Sequence, residues 1–148
     1  MKYSPYIIIG LTAVALLYFG IFSREQPQPN NNPETNTKQN WESKTNDQSA
    51  VAITVTPIDI LPQSKEWKFD VVMDTHSVEL NQDLTKVIAL VDDSGKEYKP
   101  LRWKGVPAGG HHREGTLIFN QITPAPKSIE LKISGIGEVV RSFIWQLK

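Results

Sequence analysis

The chain has 148 residues, room for one ordinary domain with extensions and too little for a multi-domain enzyme. Its 16 basic residues cancel its 16 acidic ones, so no net field recommends a nucleic acid as partner. The absence of cysteine excludes disulfide frameworks, thiolate metal sites, cysteine nucleophiles and lipoprotein acylation, and leaves His, Asp, Glu and backbone oxygen as the available metal donors. Residues 6–22 then form an uncharged apolar run (Ile7, Ile8, Ile9, Leu11, Val14, Leu16, Leu17, Phe19, Ile21) of about bilayer-spanning length. Lys2 precedes the run, and the stretch from Tyr18 to Ser23 lacks a small-residue cleavage pattern. Residues 1–22 are therefore expected to be an uncleaved, single-pass membrane anchor with the remainder of the chain extracytoplasmic. A cleaved signal peptide is the alternative, and it exports the domain equally.

Residues 23–50 are rich in Asn, Gln, Pro, Thr and Ser, with Trp41 almost the only large apolar side chain. Such a composition predicts a disordered linker, with a reach of about 30 Å as a flexible coil. From Val51 the pattern changes to short alternating stretches, which predicts an all-β domain over 51–148. Val51, Ile53 and Val55 alternate in a first strand closed by Pro57, and Trp67, Phe69, Val71 and Met73 give a second strand an apolar stripe. A helical turn fits within 77–86, and a third strand spans 86–91. Asp92-Asp93-Ser94-Gly95 makes a hairpin turn into a fourth strand over 96–103, which Pro100 marks as edge or bulged. Strands over 116–119, 128–133 (Ile129, Leu131 and Ile133 inward) and 139–147 follow, the last pair turned by Gly135-Ile136-Gly137. About seven antiparallel strands match an immunoglobulin-like β-sandwich without its cysteine pair.

In such a sandwich the connections after the second, fourth and sixth strands share one pole. They carry Asp74-Thr75-His76-Ser77, then the loop with Gly109-Gly110-His111-His112-Arg113, then Gly135-Ile136-Gly137. All three histidines of the chain thus fall at one end, where this architecture places recognition. His76, His111 and His112 with Asp74 form an imidazole and carboxylate set suited to copper or zinc, with Glu114 in reserve and Gly109 and Gly110 giving the loop freedom to converge. The same residues also support a second reading, in which Asp74, His76, His111 and Arg113 form a structural hydrogen-bonded clamp between two loops, Arg113 pairing with Asp74.

Weaker patterns complete the survey. Residues 105–110 lack the Lys-Ser/Thr pair and following helix of a phosphate loop. Asp92, Asp93 and Ser94 read as a turn ahead of a calcium site. A triad drawn from Ser77, His76 and Asp74 would need sequence neighbours to meet in catalytic geometry, so no catalytic residue is assigned and the chain is not expected to be an enzyme. Trp67, Trp103 and Trp145 lie in alternating patterns that predict core positions over a carbohydrate platform.

Asp74-Thr75-His76-Ser77-Val78-Glu79-Leu80 with Asp83-Leu84, then Trp103, Gly109-Gly110-His111-His112-Arg113, Gly115 and Leu117, resembles an uncharacterised family of prokaryotic exported or membrane-anchored domains. The resemblance covers 51–148 and implies domain limits, with no catalytic residue carried over. The expected function is a membrane-tethered extracytoplasmic binding module, holding copper or zinc at its loop pole, or else serving as an interaction domain for an envelope protein partner, with no nucleic acid bound.

Overall fold

The computed structural model of the chain describes residues 40–147, so the anchor and most of the linker expected from the sequence lie outside the described residues. No helix among the described residues is long and apolar enough to cross a membrane. The elements are β1 (Lys44–Asn46), β2 (Val51–Asp59), β3 (Glu66–Thr75), α1 (Leu84–Val87), β4 (Ile88–Asp92), β5 (Glu97–Tyr98), β6 (Arg102–Gly105), β7 (His112–Asn120), β8 (Ser128–Ile136) and β9 (Val139–Gln146). Every strand pairing is antiparallel, in two sheets ordered β1-β2-β3-β7-β6 and β5-β4-β8-β9.

Alternation builds the core. Trp67, Phe69, Val71 and Met73 are fully buried along β3, the middle strand of its sheet, while Lys68, Asp70 and Val72 turn to the other face. From the second sheet Ile88, Leu90, Ile129, Leu131, Ile133, Phe143 and Trp145 join the same buried cluster, which makes the architecture a β-sandwich. The Phe69 ring meets Phe119 edge-on at 5.7 Å and Trp145 of the facing sheet at 5.9 Å. Each fully buried side chain of this size contributes roughly 1.5–3 kcal/mol.

The structure departs from the sequence expectation at five places. Residues 44–46, expected in the linker, form β1 on the flank of β2, with Trp41 half-buried against the core, so the sandwich begins before Val51. Pro57 does not close β2; the strand continues to Asp59 through a register shift, at a position beyond the reach of β1 where β2 is bonded on one side only. The helical turn sits later than expected, with the Asp83 carboxylate capping the Thr85 N–H at 3.1 Å, so the third strand begins at Ile88. The single strand expected over 96–103 is two, β5 in one sheet and β6 in the other, with buried Pro100 at the crossing; both are edge strands, as a residue without N–H requires. Lastly, β7 starts at His112, earlier than expected; with β1 added and the fourth strand divided, nine strands stand among the described residues. The last hairpin turns through Gly137 and Glu138, at φ 65° and 59°, the pair of left-handed angles a two-residue turn needs.

Candidate functional site

The register of β3 against β7 builds the pole. Asp74 stands opposite His112, and beyond the strand ends the two loops are joined by backbone bonds: Thr75 N–H to His111 O (3.0 Å), Leu80 N–H to Gly110 O (2.9 Å) and Gly109 N–H to Leu80 O (2.9 Å). Gly109 and Gly110, at φ 118° and 71°, supply the left-handed backbone that brings the second loop against the first. The Thr75 hydroxyl accepts from the N–H groups of Ser77 and Val78, tightening the turn after β3. The expectation that His76 and His111 share one end of the sandwich therefore holds at backbone level.

Alternation then separates the side chains of β7. His112 and Glu114 face outward and Arg113 inward. His112 Nδ1–H donates to Asp74 Oδ1 at 2.6 Å, and its Nε2 lies 3.6 Å from Glu114 Oε2. The bond to Asp74 raises the pKa of His112 above its ordinary value, desolvation opposes this, and the charges of Asp74 and Glu114 add to the rise. On the same strand face, Asp70 is raised by desolvation and by the charge of Glu114.

Arg113 does not pair with Asp74. It is buried, donates from Nη1 to Leu80 O (3.0 Å) and Gln82 O (2.8 Å), and its guanidinium lies 5.8 Å from the centre of the Trp103 ring. The clamp between the loops is therefore divided: Asp74 and His112 tie β3 to β7 on the solvent face, and Arg113 ties β7 to the 80–82 segment inside. Trp103 is not a free platform either; its indole lies against Gly105 and Gly115, and its N–H donates to Val106 O at 2.9 Å. Trp67 and Trp145 are core residues.

His76 and His111 are exposed. Among the described residues no group of three or more His, Asp and Glu side chains is placed to hold a metal ion. Asp74 is common to two arrangements: it bonds His112, and with Asp47, Ser49, His76 and Ser77 it lines an open depression of about 400 Å³. Asp47 and Ser49 escaped the sequence reading because they fall in the polar stretch before β2. Their signal was a cluster of turn-forming side chains, Asn46-Asp47-Gln48-Ser49, immediately ahead of the first apolar alternation. Buried Arg141 holds this segment down, donating from Nη2 to Gln48 O and to Val51 O (3.0 Å) and from Nη1 to Ile136 O (2.6 Å).

No family model matches the chain, and no curated protein matches it. Among solved structures, it is similar to MPT63, a secreted protein from Mycobacterium tuberculosis, at 14% identity and a TM-score of 0.38, over 72% of this chain and 91% of that one.

At the opposite pole Asp92 accepts from Ser94 N–H (2.9 Å), Ser94 O–H (2.6 Å), Lys96 N–H (3.0 Å) and Tyr98 O–H (2.9 Å). The Ser94 hydroxyl leads these donors in holding the carboxylate down to about 2. The group is a turn whose Asp92 carboxylate is bonded by its own loop, and the turn is the one the sequence suggested.

Proposed function

We propose that the chain is a membrane-tethered, extracytoplasmic interaction module with an immunoglobulin-like sandwich, recognising a basic segment of an envelope protein partner at the loop pole. The apolar run over 6–22, the single Lys2 before it and the polar stretch after it support the tethering. The observation that carries the recognition is the depression at Asp47, Asp74 and His76, which among the described residues has two carboxylates and no Lys or Arg in its lining. A cationic side chain entering there meets opposite charge on two walls, with Ser49 and Ser77 as hydrogen-bonding partners. In this reading the Asp74–His112 bond is structural: it fixes one wall of the depression. The role requires no protein nucleophile and no resident ion.

Calorimetry on the full chain in detergent tests this with two probes. A short lysine-rich peptide is expected to bind with an affinity that falls as salt rises, and to lose that binding in Asp47→Asn. Zinc or copper binding that survives Asp47→Asn and vanishes in His76→Ala, with no peptide binding, would overturn the proposal in favour of a metal site.

A further inference from the structure

The two sheets have four edges: β1, β6, β5 and β9. Three are short, at 3, 4 and 2 residues, while β9 has 8. On its inner side β9 is bonded to β8, and among the described residues no strand pairs with its other side. The Leu147 N–H continues that ladder to Lys127 O at 2.8 Å, which fixes the parity of the strand. Odd-numbered residues turn their N–H and C=O groups to β8, and Val140, Ser142, Ile144 and Gln146 turn theirs to the open side. These four are exposed, none is charged and none is proline; Val140 and Ile144 remain 66% and 51% exposed. Natural sheets protect edges by shortening them or by charge, proline or cover; β9 is not short, and its four open-side residues include neither charge nor proline. Its one charged residue, Arg141, points inward onto the carbonyls of Gln48, Val51 and Ile136, and the 40–44 segment lies beside only its 144–146 end.

We propose that β9 pairs antiparallel with β9 of a second copy, Ser142 lying on the twofold axis. That register places each Val140 opposite Ile144 of the second copy, a β-branched pair on both sides of a central serine. Read in the reverse direction the strand presents the same apolar–serine–apolar order, so the edge is complementary to itself and the contact closes as a symmetric dimer. Ser142 is then a hydrogen-bonded pair with its counterpart, and about six backbone bonds form across the axis. The four-stranded sheet becomes continuous through both copies. This proposal is independent of the loop pole.

The absence of cysteine allows a direct test on the full chain in mild detergent. Ser142→Cys is expected to give a disulfide-linked dimer on non-reducing gels at least about tenfold more readily than Lys104→Cys on the other sheet, because the paired Cα atoms must lie within about 7 Å. Sedimentation should show a dimer that Ile144→Lys, a change at an exposed position, converts to a folded monomer. A monomeric wild-type chain, cross-linking at Ser142→Cys no better than at Lys104→Cys, or a dimer unaffected by Ile144→Lys would each overturn the proposal, the last assigning the contact to another surface.

Discussion

His112 is the titrating residue of the pole, and the direction of its shift sets the pH dependence. Its pKa is raised in the folded chain, chiefly by the bond to Asp74, so its contribution to stability is fully present below the unfolded value of about 6.5 and is lost as pH rises through the folded value. Both partners are more than half exposed, so the effect is small. Thermal melts should show a slightly higher transition at pH 6 than at pH 8.5 in the wild type, and Asp74→Asn should remove that difference; an unaltered pH dependence would mean the bond does not form in solution. Arg141 is the contrasting residue, since its guanidinium is fully buried and answers carbonyls from three places. Arg141→Leu is expected to cost about 3 kcal/mol in urea unfolding, because buried acceptors lose their donors. Arg102→Leu, which breaks a surface pair with Glu66 at 2.7 Å, should cost at most about 1 kcal/mol.

Among the elements, the paired glycines of β6 and β7 have the narrowest tolerance. Gly105 and Gly115 lie opposite one another under the Trp103 ring, and a Cβ on either would press on backbone that has nowhere to move. Gly115→Ala should destabilise by roughly 1–3 kcal/mol and increase Trp103 solvent exposure, checked by urea titration and fluorescence. This close packing was not legible beforehand, because a glycine in a strand pattern announces a close approach without naming what approaches. The alternating strands were legible, since period-two burial of Trp67 through Met73 or Ile129 through Ile133 is a direct consequence of the pleat. The sheet switch at Pro100 and the strand β1 were not. Proline signals an edge and not which sheet it edges, and β1 has no apolar stripe: Thr45 on it, and Ser43 just before it, face the hydroxyls of Thr54 and Thr56. At the site, the sequence correctly gathered His76, His111 and Asp74 at one pole. It could not tell that Arg113 turns inward, because the start of β7 at His112 fixes that parity.

For the whole molecule, residues 40–50 belong to the fold. Trp41 packs on the core, the Trp145 indole donates to Glu42 O at 2.7 Å, and Arg141 reaches Gln48 O. A fragment starting at residue 51 should therefore melt lower than one starting at residue 40, and equal transitions would show that the segment contributes nothing. These bonds bridge sequence separations of 93 and 103 residues. A ribosome makes β1 before β9, so β1 waits, without its distant fastenings, until the β8–β9 hairpin has left the exit tunnel. The sandwich can close only after β9 has been made.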